Sequence, residues 1–161
     1  YGELTAEENI YMGKSMKDID KQKVIEAAKN ADAHDFIRKY ENGYKTVMSE
    51  RFRKGIRQST GQRQKIAIAR FFYRNAPVAI FDEATSAIDA ESEYRIFNRI
   101  YNFFKNKSVL IISHRFSTVR NADRIIVIHD GKIVEEGCHD ELIKMNKRYM
   151  NAFNKQAEGY K

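Results

Sequence analysis

The chain of 161 residues has one cysteine, one proline and no tryptophan. A single thiol, Cys138, excludes an internal disulfide and suits a reducing compartment. No run of about 18 apolar residues is present, so no segment reads as a membrane-spanning helix. The opening YGELTAEENI has neither the basic start nor the apolar stretch of a secretory leader. It does not begin with Met, and the chain is expected to be a piece of a longer protein. The eight glycines never form G-x-x-x-x-G-K-[ST], so a phosphate-cradling loop of that kind is missing from these residues.

What is there is charge and a regular apolar texture. Apolar residues make up 42% and charged residues 32%, the balance of one globular domain of modest core. The formal charge is +7, and it is concentrated: residues 45–74 hold nine Lys or Arg against one acid, Glu50. A net +8 segment around a Ser/Gly turn suits bound phosphate groups, although a solvated basic face is the commoner reason for such a run.

Periodicity divides the chain. Residues 5–14 and 17–40 read as helices, the first opened by the capping box Thr5…Glu8. Asn42-Gly43 is expected to end the second, and 43–58 reads as a polar, basic loop. A helix over 60–74 leads through Pro77 into VAIF (78–81), a continuous apolar run expected to be a strand buried on both faces. Asp89 can cap the next helix, AESEYRIFNRIYNFFK, whose first turn is acidic. SVLIIS (108–113) and RIIVI (124–128) read as further buried strands. Asp130-Gly131 marks a hairpin into KIVEE (132–136), and a last helix starts near Asp140. The pattern is α/β, with a mainly parallel sheet flanked by helices.

In such sheets ligands sit at the carboxyl ends of strands, and there VAIF delivers Asp82-Glu83 while SVLIIS delivers Ser113-His114. Adjacent carboxylates repel unless something offsets the charge. Mg²⁺ would do so, leaving the neighbouring carboxylate to polarise a water; a turn or cap role is the plainer alternative. At 58–61, Ser59 and Gln62 satisfy the capping-box rule, and the same exposed N–H groups and hydroxyl attract an anion at the positive end of the helix.

In order, STGQRQKIAIAR, VAIFDEATSAID, IISHR and GKIVEEGCHDEL resemble the signature helix, Walker B strand with D-loop, H-switch and following segment of an ABC transporter nucleotide-binding domain, exporter type. TAEENI and ADAHDFIRKYENGYKT resemble its helical subdomain. The resemblance runs over nearly the whole chain and implies a partial P-loop NTPase fold, with a helical subdomain at 1–58 and the C-terminal half of the ATPase core at 59–161. It further implies ATP and Mg²⁺ as ligands. Asp82 would hold the metal through water, Glu83 would orient or deprotonate the attacking water, and His114 would contact the γ-phosphate. Asp89 would reach across a dimer interface, and Ser59, Gly61 and Gln62 would serve a nucleotide held by the opposing domain.

The implied partners are a transmembrane domain of the same transporter and a second nucleotide-binding domain, at the cytoplasmic face of the membrane, with no nucleic acid. A nucleic-acid-acting ABC ATPase and a silent regulatory module are the alternatives; the helical segment argues against the first, and intact Glu83 and His114 against the second. The signature reads Gln58-Ser59-Thr60-Gly61-Gln62, with Thr60 where the family has Gly. An unequal pair of subunits is therefore expected, a tolerated variant in a symmetric homodimer being the alternative. His34, His129 and His139 are expected to be surface or capping residues. The isolated chain is expected to be inactive.

Overall fold

The structure, a computed structural model, describes residues 3–12 and 19–158. It divides into two compact units, residues 1–112 and 113–161, so the expected boundary at 58/59 falls inside the first.

In the first unit, α1 (Ala6–Tyr11) is opened by Thr5 and closed by Met12 in the left-handed region. Both arms of the Thr5–Glu8 capping box form. The expected extension to residues 13 and 14 lies outside the described residues, as do 17 and 18 of the next segment. That segment is not one helix to residue 40. Asp20 caps α2 (Lys21–Asn30), and the chain then breaks at Asp32, whose φ of 53° no helix accommodates. A single turn, α3 (His34–Ile37), follows. Gly43 has positive φ, but it opens a short 3₁₀ turn (Gly43–Lys45) instead of capping a helix.

Ser59 caps α4 (Thr60–Arg74), which ends at Asn75 in the left-handed region. Its apolar residues fall at helical spacing and form the centre of the unit. Ile66, Ile68, Ala69 and Phe72 pack among Ile10 of α1, Val24 and Ala28 of α2, and Phe81 and Ile96 further along the chain. Pro77 precedes β1 (Val78–Asp82), which pairs in parallel with β2 (Ser108–Ile112) through α5 (Ala90–Phe103). A parallel pair requires such a crossover, and it aligns the carboxyl ends of both strands at one edge.

Neither strand is buried on both faces. Ala79 and Phe81 point into the core, whereas Val78 (56%), Ile80 (54%), Leu110 (52%) and Ile112 (48%) remain exposed. Successive side chains alternate across a sheet, and helices of this unit cover only one side of it. An unbroken apolar run marks strands that suit two covered faces but cannot say that both are covered.

The second unit contains α6 (Phe116–Val119), β3 (Ile125–His129), β4 (Lys132–Gly137), α7 (His139–Met145) and α8 (Arg148–Glu158). The hairpin forms as expected: His129 pairs with Lys132, and Asp130 and Gly131 both take positive φ. β3 pairs antiparallel with β4, so among the described residues only β1 and β2 are parallel. The single expected last helix is two, separated by Asn146 at φ 54°. Leu142, Ile125 and Tyr149 form the small core of this unit.

Candidate functional site

Asp82 ends β1 opposite Ile112, exposed at the carboxyl edge of the strand pair. The chain then turns sharply. Glu83 sits at φ 48°, and its N–H donates to the Ile112 carbonyl at 2.9 Å. A non-glycine residue in the left-handed region is uncommon and here ends the strand while leaving the Glu83 side chain exposed. The two carboxylates thus occupy one rim of the sheet, as expected.

The turn that follows, residues 84–88, is held from both ends. Thr85 donates its hydroxyl to the buried carboxylate of Glu93 in α5. Asp89 caps α5 by accepting the Ser92 N–H at 2.8 Å. That backbone donor, with the Ser92 hydroxyl and the nearby Lys65 ammonium, holds the Asp89 carboxyl below the usual carboxylate range.

The start of α4 meets this turn. Ser59 and Gln62 close their capping box, at 3.2 Å and 3.0 Å. A Cβ at Gly61 would lie 2.6 Å from the Ala87 carbonyl oxygen, so glycine is required there by the approach of one backbone to another. Gln64 completes the contact: its amide donates to Ser86 Oγ and accepts the Ala87 N–H, both at 2.9 Å. The structure therefore brings Gly61 and Gln64 against the turn between Glu83 and Asp89, while Ser59 and Gln62 bond each other at the helix start. Thr60 is exposed and accepts from Arg63 at 3.3 Å, so its extra Cβ causes no internal conflict.

Gln64 and Thr85 were not among the expected site residues. No sequence signal singles them out, since an exposed-looking Gln in a helix and a Thr in a turn are ordinary.

His114, exposed, opens the second unit two residues after β2. The other histidines have local partners: His34 and Tyr44 Oη at 2.9 Å, His139 and Tyr149 Oη at 2.8 Å, His129 and Asp130 at 3.3 Å. Burial, with Asp35 nearby, pushes the Tyr44 phenol up to about 12.

Among the described residues no three His, Cys, Asp or Glu side chains gather as a metal cage. Asp82 offers at most one or two oxygens, which suits an ion that completes its shell with water and phosphate oxygens and does not suit one held by protein alone. A cleft of about 510 Å³ lies elsewhere, between α1, the 48–58 loop and α4, lined by Arg51, Arg57, Arg63 and Arg70 with the single acid Glu50; of the expected site residues none lines it.

A crossover strand pair with an acidic carboxyl edge, abutted by the capped start of a long helix, is the place where open α/β sheets put their ligands. Residues 2–86 match the family described as ABC transporter, and the chain belongs to that family. Over 122 residues, 76% of this chain and 17% of the relative, it is 54% identical to the alpha-hemolysin translocation ATP-binding protein HlyB of Escherichia coli. It is 47% identical over 152 residues to the leukotoxin export ATP-binding protein LtxB of Aggregatibacter actinomycetemcomitans, covering 89% of this chain and 21% of the relative. Among solved structures it superposes on a bacterial Atm1-family ABC exporter with ATP bound at a TM-score of 0.87 and 32% identity, covering 98% of this chain and 27% of that one. The fold is thus that of part of an exporter-type ABC ATPase, and the chain spans about a quarter or less of the relatives it matches.

Proposed function

We propose that this chain forms part of the ATP-hydrolysing motor of an ABC exporter, coupling ATP binding and hydrolysis to movement of a substrate across a membrane. The observation that carries it is the closure of the Ser59–Gln62 helix start onto the turn between Glu83 and Asp89, with Gly61 and Gln64 at the seam. On this reading a water attacks the terminal phosphorus of ATP, the bond to the leaving ADP oxygen breaks, and Glu83 accepts the water's proton. His114 donates a hydrogen bond to the γ-phosphate. Asp82 is the residue that would hold Mg²⁺, which when bound would neutralise charge on the phosphates.

The exposed hydroxyls of Ser59 and Thr60, with Gly61 and Gln62, face a nucleotide carried by a second nucleotide-binding domain, and Asp89 lies at that interface. Thr60 makes the pair unequal, so this chain's catalytic residues serve one site and its altered signature a weaker one. Residues 1–58 act as the helical subdomain toward the transmembrane domain, at the cytoplasmic face. The exposed apolar face of β1 and β2 is covered by the remainder of the ATPase core.

Two measurements test this. The full transporter hydrolyses ATP, while the isolated 161 residues bind Mg-ATP weakly and do not turn it over. Micromolar affinity in the isolated chain, or a full transporter without ATP turnover, would overturn the reading.

A further inference from the structure

His114 lies just before the short helix α6. α6 begins only two residues later and is a single turn. Its cap residue Arg115 makes no side-chain cap bond to the first N–H groups of α6, although its carbonyl accepts the Thr118 N–H at 3.1 Å. One of these is satisfied from far along the chain. The Phe116 N–H donates to Gln156 Oε1 at 2.9 Å, and Gln156 Nε2 donates to the His114 carbonyl at 3.0 Å. Only one orientation of the amide makes both bonds, because a backbone N–H must meet the oxygen and a carbonyl the NH₂. Between these two contacts the Arg115 N–H donates to Ser113 Oγ at 3.0 Å. Both peptide planes after His114 are therefore fixed by side chains.

Gln156 can do this because α8 is itself seated firmly. The buried carboxylate of Glu135 in β4 accepts the N–H groups of Arg148 and Tyr149, the first two residues of α8, at 2.8 Å and 3.3 Å. A carboxylate there satisfies orphan donors and meets the positive end of the helix dipole. Along the helix, Tyr149 and Phe153 pack edge-on against Phe116, at 5.1 Å and 5.5 Å between ring centres. His139 bonds the Tyr149 hydroxyl from α7. Two turns beyond Tyr149, Gln156 reaches the same segment that the rings hold.

We propose that Gln156 is a positioning residue for His114: the C-terminal helix sets the backbone from which the imidazole projects, and so sets its aim at the γ-phosphate. The proposal rests on the ATPase role given above to His114. Gln156 acts through the peptide groups on either side of Arg115. Misaiming a group by about 1 Å is enough to slow a reaction severely without weakening substrate binding.

The test uses the full transporter with Gln156→Ala, and Lys155→Ala, an exposed neighbour on the same helix, as control. Hydrogen exchange at the Phe116 amide should speed up about tenfold in Gln156→Ala and stay unchanged in the control, since one closing hydrogen bond is lost. ATP turnover should fall about tenfold in kcat with KM for ATP unchanged. Gln156→Glu, which keeps the acceptor and loses the donor, should protect the Phe116 amide yet still lower kcat. Unchanged exchange in Gln156→Ala, or faster exchange with wild-type kcat, would overturn the proposal. A wild-type transporter without turnover would instead defeat the ATPase reading, and the exchange comparison, which needs no turnover, would still decide whether the clamp exists.

Discussion

The two strand ends that deliver the candidate catalytic groups are held by different means. After β1 the chain is fixed by backbone geometry, with Glu83 in the left-handed region and its N–H on the Ile112 carbonyl. The following turn is pressed against α4, where Gly61 leaves no room and Gln64 bridges two residues. After β2 the segment is held by the Gln156 amide, by Ser113 Oγ on the Arg115 N–H, and by the packing of Phe116 against Tyr149 and Phe153. The first arrangement rests on backbone conformation and close packing, the second on side chains that reach in from a helix about forty residues along the chain. A carboxylate that takes a proton from water must be placed once. On the proposed reading His114 needs equal placement, and it takes that placement from the C-terminal helix.

Four changes in the full transporter break or sharpen that contrast. The largest effect is expected from His114→Ala, which removes a donor aimed at charge developing on the phosphate. ATP turnover should fall by about 10²–10³, with nucleotide binding retained in an equilibrium assay. Next is Gly61→Ala. Alanine in a helix normally gains about 1 kcal/mol over glycine, but here its Cβ meets the Ala87 oxygen at 2.6 Å. Thermal unfolding should therefore show a net loss of about 1–3 kcal/mol; a raised Tm would mean that α4 and the turn are not in contact.

Gln64→Ala should cost about 1–2 kcal/mol for its two exposed bonds together. Chemical denaturation of Gln64→Ala, Gly61→Ala and their double variant measures the coupling, and additive losses would contradict a shared seam. The smallest effect is Asp89→Ala, about 1 kcal/mol for a lost N-cap. Its acid sensitivity has a definite sign. Because the folded Asp89 carboxyl lies below its ordinary value, its contribution is present above about pH 4 and disappears as pH falls through the folded pKa. The difference in stability between Asp89→Ala and wild type should shrink in that acid window and be constant near neutrality.

Local devices were legible in the sequence because they need only a few neighbouring residues. The capping boxes at Thr5 and Ser59, the cap at Asp89, the Asp130-Gly131 turn and the span of α4 all stand where spacing alone puts them. What sequence could not give depends on partners far along the chain. The break at Asp32 is one case, since its carboxylate is gripped by Arg95 and Arg99, more than sixty residues away. The open face of β1 and β2 is another. The same holds at the site. The proposed roles of Asp82, Glu83 and His114 rest on the resemblance of the ordered motifs, since residue type at strand ends left a turn or cap role open; Gln64 and Gln156 carry no local mark, and only their distant contacts distinguish them.

The account turns on Glu83 as the group that takes the proton from the attacking water. Single-turnover hydrolysis of ATP by the full transporter, compared between wild type and Glu83→Gln at saturating nucleotide, tests this directly. The account predicts that Glu83→Gln binds ATP as tightly as wild type and cleaves it about 10²–10⁴ times more slowly. Cleavage at the wild-type rate would contradict it.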